Sequence, residues 1–470
     1  MGKSKVVCVA VLMLVSIVFA DSWNSDSGGT VQVIPTAYNP IVGGDYIPMD
    51  QITISSGIHL VYSYDASGDN RLKYQKFDLN GSAGTSTTLN SDDVLYPKIV
   101  ESPDGDLYCA YYDDTDNYFV VTRSEDDGDN WENLGLTSNS PLNGVGDFCT
   151  GLDIAAGDDE LHIVYSDKDP SPTYAAQIHY YTFEYGDDID DRWDDHYTWG
   201  TSTHEGSTPH IVRDEDGGIH ISYTGDGDWT NIDQSTSEDI FIVSKASGQG
   251  WGTPVAPFNF DGNERVSADD IFMVGDELAV AYYYSNSGPT GNFSLKLRIH
   301  DPVDGWGDDG DSHINMGISS ELDYGYDTEI VPINGYSDQL VHSIYGMRHS
   351  GPSQNGNPEL ATRLYRVGTE GILTHETSLS IVYDIDGFQY DYSADEYDGD
   401  VYLVFARQAA NDDYPKLWVK KYDNTPPSTP TSFSLAWVNS HPQLTWSAVT
   451  DDDFDHYEMD VTYRQLSDGH

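Results

Sequence analysis

One short phrase returns seven times along this chain, each time as an acidic or glycine turn followed by an alternating segment that ends on an aromatic or aliphatic residue. The copies read GIHLVY (57–62), GDLYCAY (105–111), DELHIVY (159–165), GGIHISY (217–223), DELAVAY (276–282), DQLVHSI (338–344) and GDVYLVF (399–405). Their last residues, Tyr62, Tyr111, Tyr165, Tyr223, Tyr282, Ile344 and Phe405, follow one another at intervals of 49 to 62 residues. A unit of that size cannot bury both of its faces alone, and it is stabilised by stacking on copies of itself. Each phrase alternates apolar and polar residues and is rich in Tyr, Val and Ile, the period of a strand. Helical periodicity is not sustained anywhere after the leader, so the chain reads as all-β.

The repeat around residues 210–251 shows the internal plan most fully. HIVRD (210–214) reads as one strand, the turn 215–218 follows, and IHISY (219–223) reads as the next. A polar loop leads to DIFIVSKA (239–246), and a glycine-rich turn precedes Trp251 and a last short strand. Four antiparallel strands per repeat make the blade of a β-propeller. The expectation is seven four-stranded blades over residues 46–424, or six or eight if a terminal repeat diverges. A ring must also hide its edge strands, so the segment 21–45, through TVQVIP (30–35), or else YIPMD (46–50), is expected to pair with the last repeat.

Both ends of the chain differ from this pattern. MGKSK precedes an apolar run from Val6 to Phe19 and a small-residue cleavage site at Ala20. This reads as a secretory signal peptide of residues 1–20, too short and wrongly flanked for a membrane span. The mature chain is therefore expected to be secreted or displayed at the cell surface, with no membrane insertion. Export makes a disulfide between Cys109 and Cys149 an open alternative to two free buried thiols. The chain carries 79 acidic residues against 22 Lys plus Arg, a formal net charge of −57. Such a field repels nucleic acid and anionic membranes and strains the compact state by self-repulsion. High ionic strength or bound Ca²⁺ would relieve it, and the Asp-rich loops at Asp113, Asp114 and Asp116 and at Asp308, Asp309 and Asp311 are the candidate cation sites.

At 124–131 stands SEDDGDNW, which fits S-x-D-x-G-x-x-W on Ser124, Asp126, Gly128 and Trp131. SKASGQGW (244–251) keeps Ser244, Gly248 and Trp251 but has Ala246 at the acidic position. With the repeated phrase, these turns make residues 46–424 resemble the secreted bacterial BNR/Asp-box, sialidase-like propellers. That resemblance implies a hairpin clamp in which hydroxyl and carboxylate satisfy turn amides and the indole wedges between strands. It does not carry over sialidase chemistry, because the F/Y-R-I-P motif of those enzymes is missing; the nearest stretches, YIPMD and YPKIV, lack the arginine. After the proline-rich linker 425–430, residues 431–470 resemble the opening of a fibronectin type III domain, with Trp446 and Tyr457 at its aromatic positions. About 90 to 100 residues are needed for such a sandwich, so it is expected to be incomplete.

Propellers bind ligands at the central mouth, where the first strand of each blade presents its side chains. Aligning those strands places Met49, Lys98, Asp153, His210, Asp270, Glu329 and Tyr392 at or near one position. Neighbouring positions are apolar in every copy, whereas this one changes chemistry from blade to blade, as a pocket shared by the blades would. His59, His162 and His220 share another position and are expected to be scaffold, since equivalent places on separate blades lie far apart. The 34 tyrosines and 10 tryptophans suit both strand packing and stacking on sugar faces.

The leading functional expectation is a monomeric propeller that binds extracellular glycan or another surface polymer. An enzyme on the same scaffold, a glycoside hydrolase or polysaccharide lyase, is the alternative, with His210, Arg213, Arg265, Glu329 and Arg348 as the residues to inspect. A non-catalytic protein-binding propeller is the third reading.

Overall fold

The structure is a computed structural model. It describes residues 11–19, 27–32, 48–65, 70–116, 118–134, 148–168, 176–185, 193–199, 206–226, 238–258, 265–285, 294–300, 306, 314–315, 328–333, 339–348, 358–367, 373–375, 380–383, 387–409, 415–422, 434–438, 441–445 and 454–463. The described residues form strands and turns without helices, and no helix among them is long and apolar enough to cross a membrane.

Among the described residues, the unit Ser25–Lys421 shows seven antiparallel sheets in chain order. The first runs through Met49–Ile54, Gly57–Asp65, Asn70–Phe77 and Ala83–Asn90, and the second through Val94–Glu101, Leu107–Asp113, Tyr118–Ser124 and Glu132–Asn133. Phe148–Ala156, Glu160–Lys168, Ala176–Glu184 and Trp193–Trp199 form the third sheet. The fourth has three strands, Gly206–Arg213, Ile219–Asp226 and Glu238–Lys245, extended by a bridge between Ile242 and Val255. The fifth to seventh sheets open on Arg265–Val274, Thr328–Ile333 and Gly387–Tyr397. In the seventh, Ser27–Gln32 pairs antiparallel with Lys416–Tyr422 as the outer strand, so the first and last strands of this unit share one sheet.

Each repeated phrase is the second strand of its sheet, and the apolar residues on both of its faces explain the stacking. Val61, Tyr74, Cys109 and Tyr111 share one core between the first and second sheets; Tyr108, Cys149 and Tyr165 share the next, between the second and third. Ile221 and Val164 meet between the third and fourth, and Leu60 and Val404 between the first and seventh. The first strand of every sheet packs beside that of the next, and Gly387–Tyr397 packs beside Met49–Ile54, so the series closes on itself. This is a β-propeller.

Cys109 and Cys149 are both buried and free, which corrects the disulfide alternative. They occupy different cores because side chains of adjacent strand residues point to opposite faces: Tyr108, not Cys109, faces the core that holds Cys149.

Around Ser124–Trp131, Ser124 Oγ donates to Asp126 Oδ1 at 3.0 Å and accepts from the Gly128 amide at 2.9 Å. Asp126 Oδ1 also accepts from Asn130 N, and Trp131 Nε1 donates to Gly128 O at 3.2 Å. Gly128 has φ +86°, and a Cβ there would lie 1.9 Å from Tyr74 Oη, so only glycine fits.

The unit formed by residues 1–24 and 422–470 is described separately. In it Val11–Phe19 pairs antiparallel with Phe454–Tyr463, bringing Ile17 opposite Tyr457, and Ser434–Val438 forms a hairpin with His441–Thr445. Trp446 lies outside the described residues.

Candidate functional site at the ring centre

The candidate site rests on the first strands, and strand register decides which residues enter it. Lys98, Asp153, His210 and Asp270 lie opposite Ala110, Val164, Ser222 and Ala281, the residues just before the terminal aromatics of their phrases. The same register in the first sheet selects Asp50, which faces Val61, whereas Met49 faces Tyr62. The structure thus replaces Met49 with Asp50. Tyr392 is also corrected: it lies opposite Phe405, is 2 % exposed, and directs its hydroxyl to Ile344 O at 3.5 Å between the sixth and seventh sheets. The same register in the seventh sheet selects Ser393, which faces Val404, and Asp395 lies two residues further along, opposite Tyr402.

The strands reach the centre through irregular backbone. Register shifts fall immediately before Lys98, His210 and Asp270. In the second and fourth sheets the inserted residues are Tyr96-Pro97 and Thr208-Pro209, with Tyr96 at φ +51° and Thr208 at φ +46°. A residue other than glycine in the left-handed region costs roughly 1–2 kcal/mol, and bulges re-aim the side chains that follow them. The energy stored in these two bulges goes into presenting Lys98 and His210.

Lys98 is the hub. Its Nζ lies 3.6 Å from Asp50 Oδ1 and 3.5 Å from Asp153 Oδ1, with the lysine 30 % exposed and the carboxylates 20 % and 14 %. Burial disfavours its charge, but Asp50, Asp153, Glu329 and Asp270 together outweigh burial and raise its pKa. The second oxygens of both paired carboxylates are also used. Asp50 Oδ2 accepts from Ile99 N at 2.8 Å and Asp153 Oδ2 from Ile211 N at 2.9 Å, while Asp395 Oδ2 accepts from Thr53 N at 2.6 Å. Each of these bonds ties one sheet to the first strand of the next. Asp50 and Asp153 therefore hold both the ring and its lysine.

Asp270 and His210 are placed differently. Asp270 accepts from its neighbour Ile271 N at 2.7 Å. Burial, helped by the charges of Asp153 and Asp50 and opposed by Lys98, pushes its carboxyl up to about 8, so it keeps a proton at neutral pH. Burial also pulls His210 down to about 4 against the field of Asp153, leaving a neutral imidazole. Asp395 is raised to about 7 by burial, and Asp50 is raised by burial against the pull of Lys98. The centre thus combines a lysine ammonium, the carboxyl groups of Asp50, Asp153 and Asp270, the last holding its proton, and a neutral imidazole.

Other sequence candidates fall elsewhere. Arg213 pairs with the exposed Asp158 at 2.7 Å, away from Lys98, because it lies three residues beyond His210 at the far end of its strand. The side chains of Arg265 and Arg348 and the loop with Asp308, Asp309 and Asp311 lie outside the described residues. Asp113 is a turn cap: its carboxylate accepts from Thr115 N, Asp116 N and Asn90 Nδ2 at 2.9–3.1 Å, which corrects its assignment as a cation ligand. No group of three or more His, Cys, Asp or Glu is arranged to hold a metal ion among the described residues. Asp50 and Asp395 were missed by strand alignment; the pairing of Asp50 with the residue before Tyr62 is the signal that identifies the first of them.

Comparison with known proteins gives a fold and no family. No protein-family model matches the chain, and no curated protein matches it. Among solved structures, it is similar to polysaccharide lyase Uly1 with a TM-score of 0.51 and 9% identity, covering 86% of this chain and 100% of that one. The α-L-arabinanase of Penicillium chrysogenum complexed with arabinobiose gives 0.46 and 15%, covering 70% and 93%. The Hadza microbial sialidase Hz136 gives 0.44 and 11%, covering 79% and 74%. The first likeness shows a shared fold.

Proposed function

We propose that this chain is a secreted, seven-bladed propeller that binds extracellular glycan at the centre of its ring. The observation that carries the reading is the convergence of Asp50, Lys98, Asp153, His210 and Asp270 from five consecutive sheets, with Glu329 acting on the same lysine. A sugar hydroxyl both donates and accepts, so it is matched by a site that mixes cation, carboxylate, carboxylic acid and imidazole rather than by a site of one sign. Polysaccharide-acting proteins with this fold support the same ligand class. Export, from the leader read at residues 1–20, would place the site where such polymers occur. The test is a polysaccharide pull-down and glycan array at high salt, with and without Ca²⁺. Binding that weakens about tenfold or more in His210→Ala and Asp270→Asn supports the reading, and absence of binding to every polymer overturns it.

A second reading, glycoside hydrolysis at the same centre, is favoured by the proton held on Asp270. Neighbouring carboxyls driven to different protonation states are the usual basis of acid and base roles. Reducing ends released by the wild type and not by Asp270→Asn would select hydrolysis, whereas equal binding without release would leave recognition alone.

A further inference from the structure

The second and fourth sheets carry one turn in two versions. In the second, the Ser124 hydroxyl is consumed within the turn by Asp126 and the Gly128 amide. In the fourth, Ala246 replaces the carboxylate, and Ser244 Oγ lies 2.9 Å from His220 Nδ1. Nε2 of the same ring lies 3.1 Å from Asp214 Oδ2, and Asp214 Oδ1 is held by the Gly218 amide. The second sheet has Tyr108 in the histidine's place and so builds no such chain of groups.

Ser244, His220 and Asp214 all line a single cavity of about 640 Å³ between the fourth and fifth sheets, walled also by Met273, Leu278 and Trp306. Asp214 stands four residues beyond His210, about 13 Å along an extended chain, so this cavity is separate from the ring centre. A hydroxyl that donates to Nδ1 requires the imidazole proton on Nε2, which then faces the carboxylate. The hydroxyl meets Nδ1 and the carboxylate meets Nε2. Relay needs a nitrogen lone pair at hydrogen-bond distance from the hydroxyl and an anion on the other side of the ring, and both are present.

We propose that Ser244, His220 and Asp214 form a nucleophilic relay that hydrolyses an uncharged, short-chain carboxylic ester in this cavity. Ser244 Oγ attacks the ester carbonyl carbon; the Oγ–C bond forms, the bond to the alcohol oxygen breaks, and the serine proton passes through His220 Nδ1 to the departing alkoxide. Water then attacks the acyl-serine, gives a proton to Nδ1, and releases the carboxylic acid with Ser244 restored. Asp214 holds the ring and stabilises its protonated form. The apolar wall of Met273 and Leu278 accepts the acyl chain, and Asp216 and Asp276, which also line the cavity, disfavour an anionic one.

The experiment uses the full chain with p-nitrophenyl acetate and a fluorophosphonate probe. Expected are labelling of Ser244, located by peptide mass spectrometry, and an ester turnover that falls about a hundredfold or more in Ser244→Ala. Ala246→Asp restores the missing carboxylate, draws the Ser244 hydroxyl back into its turn, and is expected to lower both labelling and turnover about tenfold without lowering the melting temperature. An unlabelled Ser244 in folded protein overturns the proposal, as does turnover that survives Ser244→Ala or is unchanged by Ala246→Asp. Should Ser244→Ala fail to fold, the labelling and the Ala246→Asp comparison still decide.

Discussion

Two ranks of ionisable side chains circle this ring, one on the first strands and one on the second, and they behave in opposite ways. The first rank, Asp50, Lys98, Asp153, His210 and Asp270, reaches across sheets, and its members shift one another's protonation. The second rank bonds first within its own sheets, with His59 Nδ1 2.7 Å from Tyr74 Oη and His162 Nδ1 2.8 Å from Tyr180 Oη, although His59 Nε2 also meets Asp127 Oδ1 of the second sheet at 3.3 Å. Geometry makes the difference, since first strands crowd round the axis and second strands stand one strand spacing, about 5 Å, further out.

The largest test of that contrast is pH, because several groups act together. His59 and His162 have pKa values near 4 in the fold, lowered by burial, whereas an unfolded histidine titrates near 6.5. Their contribution is complete above about pH 6.5 and is lost as pH falls towards 4. Asp270 and Asp395 run the other way: raised to about 8 and about 7, they hold protons that the unfolded chain releases near 3.9. Their contribution is complete below about pH 4 and is lost as pH rises through 8. Urea midpoints between pH 4.5 and 8.5 should therefore lose the part of their alkaline decline set by Asp270 in Asp270→Asn, keep the part set by Asp395, and keep their acid decline. His162→Gln should flatten only the acid side, and an alkaline slope unchanged in Asp270→Asn would break the contrast.

Next in size is Lys98→Met. It leaves Asp50 and Asp153 facing each other without their shared cation, and breaking a buried pair costs about 3–5 kcal/mol. Lys98 is 30 % exposed, so solvent screening reduces the expected loss to about 2 kcal/mol. Adding Asp50→Asn should return part of it by removing one of the unpaired charges, and a double variant no more stable than Lys98→Met would show that the hub is held by packing alone.

Much of this was legible in the chain because the phrase ending at Tyr62, Tyr111 and their counterparts fixes the second strand of every sheet. Lys98, Asp153, His210 and Asp270 could be aligned from it. Asp50 could not, because the second to fifth sheets insert bulge residues before the central position and the first does not, so counting along the strand is one residue out. Tyr96-Pro97 and Thr208-Pro209 mark a bulge by composition, whereas the Ala268/Asp270 shift leaves no residue signature. The ester relay was illegible for another reason. Ser244 looked like a weakened copy of Ser124, and the gain of a histidine partner shows only when the fold sets His220 beside it.

Gly128→Ala attacks the sealed rank from a neighbouring sheet. The added methyl would meet Tyr74 Oη at 1.9 Å with φ at +86°, so it must push the tyrosine off His59 or distort the turn. Overpacking and a left-handed alanine together cost about 2 kcal/mol, read as a lower urea midpoint with glycan affinity unchanged. A fall in affinity would mean that the two ranks are coupled through the first sheet.

The smallest effect belongs to Tyr180→Phe, which isolates one seal. The ring stays, with its edge contact to Trp251 at 4.8 Å between centroids, and only the hydroxyl that meets His162 Nδ1 is lost. A buried polar atom deprived of one partner costs about 1 kcal/mol. Burial, which lowers the pKa of His162, is unchanged by the substitution, so the acid decline in stability should begin at the same pH as in the wild type. The central groups lie on another strand and share no hydrogen bond with His162, so affinity at the hub and the alkaline decline set by Asp270 should both be untouched. A shift in either would show that the histidines do more than close their own blades.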